Sequence, residues 1–194
     1  VRYLSNKSSG KQGYEIAKSL LKKGFETTLI SGPTNLKINN DINLIKVETA
    51  EEMFQSTLKS LPADVAIFSA AVCDYKVKET SKIKIKKQDE ISLELEKNID
   101  ILDYVSNHNS LRPKLVVGFA AETNNLENYA YKKLNEKNCD WIVANDVSNE
   151  LIGFDSDFNE VSIFYKDKKI DRLKYNSKSE ISDKLVEKVI DHLN

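Results

Sequence analysis

Two unbroken apolar runs limit what this chain can become. Residues 64–71 read DVAIFSAA and residues 114–121 read KLVVGFAA, with no polar alternation inside either. A strand wet on one face alternates apolar and polar residues, so runs like these belong to strands covered on both faces. Between and around them lie segments with helical spacing. Strands that alternate with helices build a parallel sheet with helices on both sides. The expected fold is therefore α/β: a Rossmann-like, doubly wound, mostly parallel sheet.

The remaining elements follow from local chemistry. Tyr14, Ala17, Leu20 and Leu21 fall on one face of a helix over 11–23, and Gly24 stops it. Strands are expected over 25–31 and 43–48. Thr49 with Glu52 has capping-box spacing and opens a helix to about residue 61. A short helix is expected near 100–107, broken by Arg112-Pro113, and a longer one over 124–138. Residues 140–144 (DWIVA) read as a strand, and 160–165 with 169–174 as a late hairpin. Ser177, three residues before Glu180, caps a last helix.

One stretch has a different texture. Lys82-Ile83-Lys84-Ile85-Lys86 alternates strictly, and so does Ile91-Ser92-Leu93-Glu94-Leu95-Glu96. This predicts an antiparallel hairpin arm. If residues 88–90 turn, Lys84 faces Glu94 and Lys82 faces Glu96, so cross-strand charge pairs account for the lysines. A polyphosphate ligand is the sharper alternative, and the two readings are compatible.

Composition serves mainly to exclude. The chain has 194 residues, 40% hydrophobic and 30% charged, as globular chains do. No apolar run nears the roughly 18 residues of a membrane span, and the start lacks a signal pattern. A net charge of −1 provides no global field for nucleic acid. Cys73 and Cys139 lie far apart without a CxxC, which points to a reducing compartment and away from structural zinc. A cytoplasmic protein is expected. Neither His108 nor His192 adjoins a nucleophile motif, which argues against histidine-based hydrolysis.

Asn6-Lys7-Ser8-Ser9-Gly10-Lys11-Gln12-Gly13 runs straight into the first helix. Small residues there let backbone N–H groups of Ser8, Ser9 and Gly10 approach an anion, helped by the positive helix end. A plain capping loop is the other reading. The loop is not a Walker A motif. A dinucleotide site wants an acid at the end of the next strand, where this chain has Ser31-Gly32-Pro33. Asp74 follows an apolar strand at the edge where such sheets bind ligands; it could accept from a ribose or base, reach a hydrated magnesium, or simply turn the chain. Lys133 and Lys137 share one helix face, which by itself reads as a solvated charged surface.

Together these pieces resemble a family. Asn6-Lys7-Ser8-Ser9-Gly10-Lys11, Ala70-Ala71-Val72-Cys73-Asp74-Tyr75, Lys84-Ile85-Lys86-Lys87, Gly118-Phe119-Ala120-Ala121-Glu122-Thr123, Ala144-Asn145-Asp146 and Gly153-Phe154-Asp155-Ser156-Asp157-Phe158-Asn159 occur in one order. The series resembles phosphopantothenoylcysteine synthetase of the bacterial bifunctional type, from Val1 to about Leu173. The resemblance implies a CTP-dependent ligation of 4′-phosphopantothenate to cysteine, part of coenzyme A biosynthesis. The pantothenate carboxylate attacks the α-phosphate of CTP and releases pyrophosphate. The cysteine amine then attacks the acyl-cytidylate and releases CMP. CTP and Mg2+ are the implied small molecules, with metal ligands left open.

Residue by residue, the resemblance implies that Lys84 stabilises charge in the first step and Asn6 holds the acyl-cytidylate. An Asx turn is the plain reading of Asn6. Phe68, Ser69, Ala70 and Asp74 match a nucleotide-binding strand end; Ile99, Asp100, Ile101 and Leu102 match a further nucleotide segment. Phe119 matches an aromatic against the nucleotide, and Lys133 and Lys137 match lysine contacts to it. Two departures stand out. Lys97-Asn98-Ile99-Asp100 has Ile99 where the family usually has proline. The family's first strand, Gly-Thr-rich loop and upstream flavin-dependent decarboxylase half are not in these 194 residues, so the chain reads as one ligase domain cut from something longer, with no flavin of its own. A homodimer is implied, with the hairpin as a candidate pairing arm. An NAD(P)-binding oxidoreductase and a non-catalytic nucleotide-binding module are the rival readings.

Overall fold

The computed structural model describes residues 5–6, 8–79, 83, 92–146 and 156–194. Helix α1 (Lys11–Lys22) begins the ordered core, and Gly24 lies in the left-handed region just past its end. Strand β1 (Thr28–Ser31) and strand β2 (Asn43–Lys46) pair in parallel. Helix α2 (Ala50–Lys59) starts as its sequence requires: the Thr49 hydroxyl accepts from the Glu52 N–H at 3.1 Å, and the Glu52 carboxylate accepts from the Thr49 N–H.

Strand β3 (Val65–Phe68) and strand β6 (Leu115–Glu122) are the two apolar runs, and they pair in parallel. Strand β7 (Trp141–Asp146) extends that ladder in parallel. Strand β8 (Phe158–Tyr165) and strand β9 (Ile170–Ser177) add the late hairpin, antiparallel, giving the order β3-β6-β7-β8-β9. The expected α/β architecture with a mostly parallel site-building sheet is borne out.

The two sheet faces bury different helices. Ile16 of α1 meets Val117, Val143, Ile163 and the apolar side of helix α5 (Lys178–Leu193). Helix α4 (Leu126–Lys137) covers the opposite face, where Ala130 and Leu134 pack on Val116, Ile142 and Phe164. Helix α3 (Ile101–Ser106) and α2 share a third cluster around Phe54, Ile101 and Val105. Leu115, Val116 and Val117 are wholly buried, as a strand covered on both faces must be.

The structure differs from the expected single sheet in one respect. Among the described residues β1 pairs only with β2, and β3 pairs only with β6. Thr28, Leu29 and Ile30 and residues 65–68 line one groove of about 960 Å³, with Ile16, Ala17 and Leu20 on the α1 side and Met53, Thr57 and Leu61 on the α2 side. Strand β3 is accordingly half-buried along its length rather than covered like β6.

The hairpin arm also differs in register. Strand β4 (Tyr75–Val77) pairs antiparallel with strand β5 (Leu95–Lys97), with Lys76 opposite Glu96 and Val77 opposite Leu95. Lys76 pairs with Glu96 at 3.4 Å, and Lys78 with Glu94 at 3.2 Å. Glu96 and Glu94 therefore have Lys76 and Lys78 as partners among the described residues, and Lys82 and Lys84 lie outside those residues. The arm is set from its base: Asn98 N–H donates to the Asp74 carbonyl and the Asn98 side chain to the Cys73 carbonyl, both at 2.8 Å. Among the described residues the strand facing Leu95–Lys97 is Tyr75–Val77. Lys84 and the rest of 84–91 lie outside the described residues.

Candidate nucleotide-binding groove

The mouth of the groove opens where β3 and β6 end, the side on which parallel sheets bind ligands. Phe68 ends β3, and Ser69, Ala70 and Asp74 follow it along one wall. Ile99, Asp100, Ile101 and Leu102 form a second wall as the chain enters α3. Phe119 of β6 and Lys133 and Lys137 of α4 form the third. Every residue assigned to the nucleotide by resemblance, Lys84 aside, lines this one groove.

The lysines are not a solvated surface. Lys133 Nζ donates to the Phe119 carbonyl at 2.9 Å, and Lys137 Nζ pairs with Asp100 at 2.9 Å. Asp100 caps α3 by accepting from the Asp103 N–H at 2.9 Å. Partial burial pushes its carboxyl up; the Asp103 N–H and the charges of Lys137 and Lys133 outweigh burial and leave it below its ordinary value. The same pair raises Lys137, through its hydrogen bond to Asp100. Two ammonium groups thus stand fixed at the groove, one of them tied to an anion that an incoming phosphate could replace.

The phosphate loop stands beside the mouth. Gly10 is the N-cap of α1 at φ +74, left-handed backbone that glycine takes without strain. Asn6 reaches beyond its own loop: its Nδ2 donates to the carbonyls of Ala71 and Val72, at 3.1 and 3.2 Å. The loop is thereby tied to the chain just past β3. Gly13 permits a close approach, since a Cβ there would lie 2.8 Å from Ser69 Oγ. Ser8 and Ser9 complete the loop, with Ser9 accepting a long 3.4 Å contact from the Lys11 N–H.

At the end of β1, Tyr14 donates to Ser31 Oγ at 3.2 Å and Ser31 donates to the Gly32 carbonyl at 3.0 Å. A dinucleotide site would place its ribose-binding acid there. Among the described residues no group of three or more His, Cys, Asp or Glu side chains gathers for a metal, and no helix is long and apolar enough to cross a membrane.

The family described as DNA/pantothenate metabolism flavoprotein C-terminal domain matches residues 1–193. This chain belongs to that family. The coenzyme A biosynthesis bifunctional protein CoaBC of Haemophilus influenzae is 45% identical over 193 residues, covering 98% of this chain and 48% of the relative. That of Bacillus subtilis is 40% identical over 192 residues, covering 97% and 47%. The chain thus spans about half the length of the curated relatives it matches. A crystal structure of the C-terminal domain of CoaBC superposes with a TM-score of 0.81 at 35% identity, covering 97% of this chain and 85% of that one. The resemblance read from the ordered motifs is borne out.

Within this flavoprotein C-terminal domain, sequence reasoning missed the amides. Asn98 fastens the arm to the strand end, and Gln12 and Asn159 meet beneath the phosphate loop at 3.0 Å. A neutral amide carries no charge pattern or period. Asn98, Gln12 and Asn159 all stand in short motifs of the sequence, but nothing in those motifs gives them a partner. Residues 153–155 of the last motif lie outside the described residues; Ser156 and Asp157 lead into β8.

Proposed function

We propose that this chain is the phosphopantothenate–cysteine ligase part of a bifunctional coenzyme A biosynthesis protein. It joins 4′-phosphopantothenate to cysteine at the expense of CTP. The observation that most supports this is the convergence of Phe68, Asp74, Asp100, Phe119, Lys133 and Lys137 on one groove beside an anion-ready helix start. In the first step a carboxylate oxygen bonds to the α-phosphorus of CTP and the bond to pyrophosphate breaks. In the second, the cysteine amine bonds to the acyl carbon, loses its proton, and CMP leaves.

Both steps gather anions, and they need fixed positive groups more than a titrating base. Lys133 and Lys137 offer ammonium groups to the nucleotide, Phe119 an apolar ring to its base, and Ile99 and Leu102 apolar contacts beside it. The N–H groups of Ser8, Ser9 and Gly10 face phosphate. Asn6, tied to residues 71 and 72, keeps its carbonyl oxygen for the acyl-cytidylate. Lys84 takes the charge-stabilising role in the first step.

Magnesium fits a limited part of this site. Asp74 and Asp100 are the carboxylates at the mouth, and Asp100 is engaged by Lys137. Mg2+ keeps waters and favours phosphate oxygens, so the nucleotide itself would supply most of its ligands, with Asp74 the candidate from the protein. When bound it neutralises triphosphate charge. The setting proposed is cytoplasmic and homodimeric, with a flavin-dependent decarboxylase half, holder of the flavin, in the whole protein.

The test is pyrophosphate release from CTP, with ATP as control, in the presence of phosphopantothenate, followed by product formation with cysteine. Turnover with CTP is expected. Lys84→Ala should abolish pyrophosphate release with the fold intact, and Asn6→Asp should let the acyl-cytidylate accumulate. Absence of CTP-dependent turnover by both the chain and the whole protein sinks the proposal. Normal turnover by either variant removes that residue from its role.

A further inference from the structure

The first turn of α1 is fastened by a buried polar knot that the ligase chemistry leaves unused. Gln12 Nε2 donates to Ser182 Oγ at 2.8 Å and to the Lys178 carbonyl at 3.3 Å, and Gln12 Oε1 accepts from Asn159 Nδ2 at 3.0 Å. Asn159, Lys178 and Ser182 are 5%, 6% and 0% exposed. Lys178 also donates its ammonium to the Ser156 carbonyl at 2.6 Å and its N–H to the Asp157 carbonyl at 2.8 Å. Above the knot, Lys11 pairs with Asp157 at 2.8 Å. Three distant segments, the starts of α1, β8 and α5, meet at these side chains.

Further along, α1 and α5 are joined by apolar packing, with Ile16 and Leu20 among Ile181, Leu185 and Val189, by Ser19 donating to Asp183 at 2.6 Å, and by Lys22 and Lys23 paired with Asp183 and Glu187. Apolar contact holds helices together but tolerates small slides, whereas hydrogen bonds fix direction, and buried polar groups are costly unless satisfied. The knot at the start of α1 differs from these in tying β8 in as well as α5, and it lies directly after Ser8, Ser9 and Gly10. One residue beyond Gln12, Gly13 sits against Ser69 with no room for a Cβ. A shift of the first turn would therefore move the loop's N–H groups relative to the strand end that holds the nucleotide.

We infer that Gln12, Asn159 and Lys178 are positioning residues for the phosphate loop, holding α1 so that the N–H groups of Ser8, Ser9 and Gly10 meet the phosphoryl groups of the bound substrate. The substrate class rests on the ligase reading; the geometry does not. The knot acts through the loop and not by touching substrate.

The experiment uses Asn159→Asp, which is isosteric and sets an oxygen against Gln12 Oε1, and Gln12→Ala, which removes the bridge at a less buried position. Inorganic pyrophosphate is titrated while the amide resonances of Ser9 and Gly10 are followed, and apparent KM values are taken for CTP and for cysteine. Loop affinity for pyrophosphate should weaken and the KM for CTP should rise, each by about tenfold. The KM for cysteine should stay put, and the double variant should fall no further than Asn159→Asp alone. Wild-type affinity in the variants, equal loss for all substrates, loss of fold in both variants, or a wild-type loop blind to pyrophosphate each overturns the inference. A wild-type loop that binds pyrophosphate, with weaker variants but no ligation in any protein, overturns the ligase reading and leaves the positioning role standing.

Discussion

The two cysteines report on the groove and on the core separately. Cys139 is fully buried, and burial, with the Asp140 carboxylate adding to it, pushes its thiol up to about 11. Thiolate is the reactive form, so Cys139 should resist iodoacetamide in the native protein at about pH 8 and react only after denaturation. Cys73 lines the groove beside Asp74 and is part-exposed. It should label in the native state, and CTP should slow that labelling. Peptide mass mapping after timed alkylation checks both. Equal labelling with and without CTP would move the nucleotide away from the β3 end. At this scale the sequence was most legible where residue type carries charge or a ring: Asp74, Phe119, Lys133 and Lys137 were assigned by their order and all reach the groove. Gln12 and Asn159 were not, because their partners lie 147 positions apart and an amide gives no sign of the bond it will make.

Among elements, the helix starts were written plainly. Thr49 and Glu52 satisfy each other's orphan N–H groups, so Thr49→Ala should cost about 1 kcal/mol. That loss should lower the melting temperature by about 2–4 °C at this chain length, with ligation unaffected. Hairpin register was less legible. A repeat of Lys and Ile permits several pairings, and the deciding contact, Asn98 to Cys73 and Asp74, lies at the base rather than near the turn. The β9–α5 junction adds a pH signature. Lys188 donates to Asp171, and Tyr165 donates at 3.0 Å; chiefly through Lys188 the Asp171 carboxyl lies below its ordinary 3.8 despite partial burial. A carboxyl depressed by folding stabilises the fold above its unfolded value, and that stabilisation fades as pH falls through the lower folded one. The melting temperature should therefore hold from about pH 7 to about pH 5 and drop at more acid pH. Asp171→Asn should lower the plateau and flatten the acid limb. Flattening will be partial, since Asp100, Asp157 and Asp183 are depressed as well. An unchanged acid limb would remove Asp171 from the balance.

For the whole molecule, the apolar runs foretold the α/β layering but not the division of the sheet. Periodicity marks a segment as a strand and names its covered faces; it does not say which strand lies on either side. Strands β6 and β7 have partners along both edges, whereas the described edges of β1 and β3 end at the groove. Half the amides of a parallel strand point to each side, so those of β1 and β3 that point into the groove have no ladder among the described residues to hold them. Hydrogen exchange on the 194-residue chain should therefore divide the sheet. Val117 and Val143, wholly buried, should exchange only through large openings, while groove-facing amides among Leu29, Ile30, Ala66 and Ile67 should exchange far faster. CTP at the mouth should slow Phe68 and Ser69 more than Leu29, because the nucleotide walls lie at the strand ends. If β1 and β3 are instead protected as well as β6 throughout, the groove is filled in solution along its whole length. The open edges would then be a property of the isolated chain fold and not of the working protein.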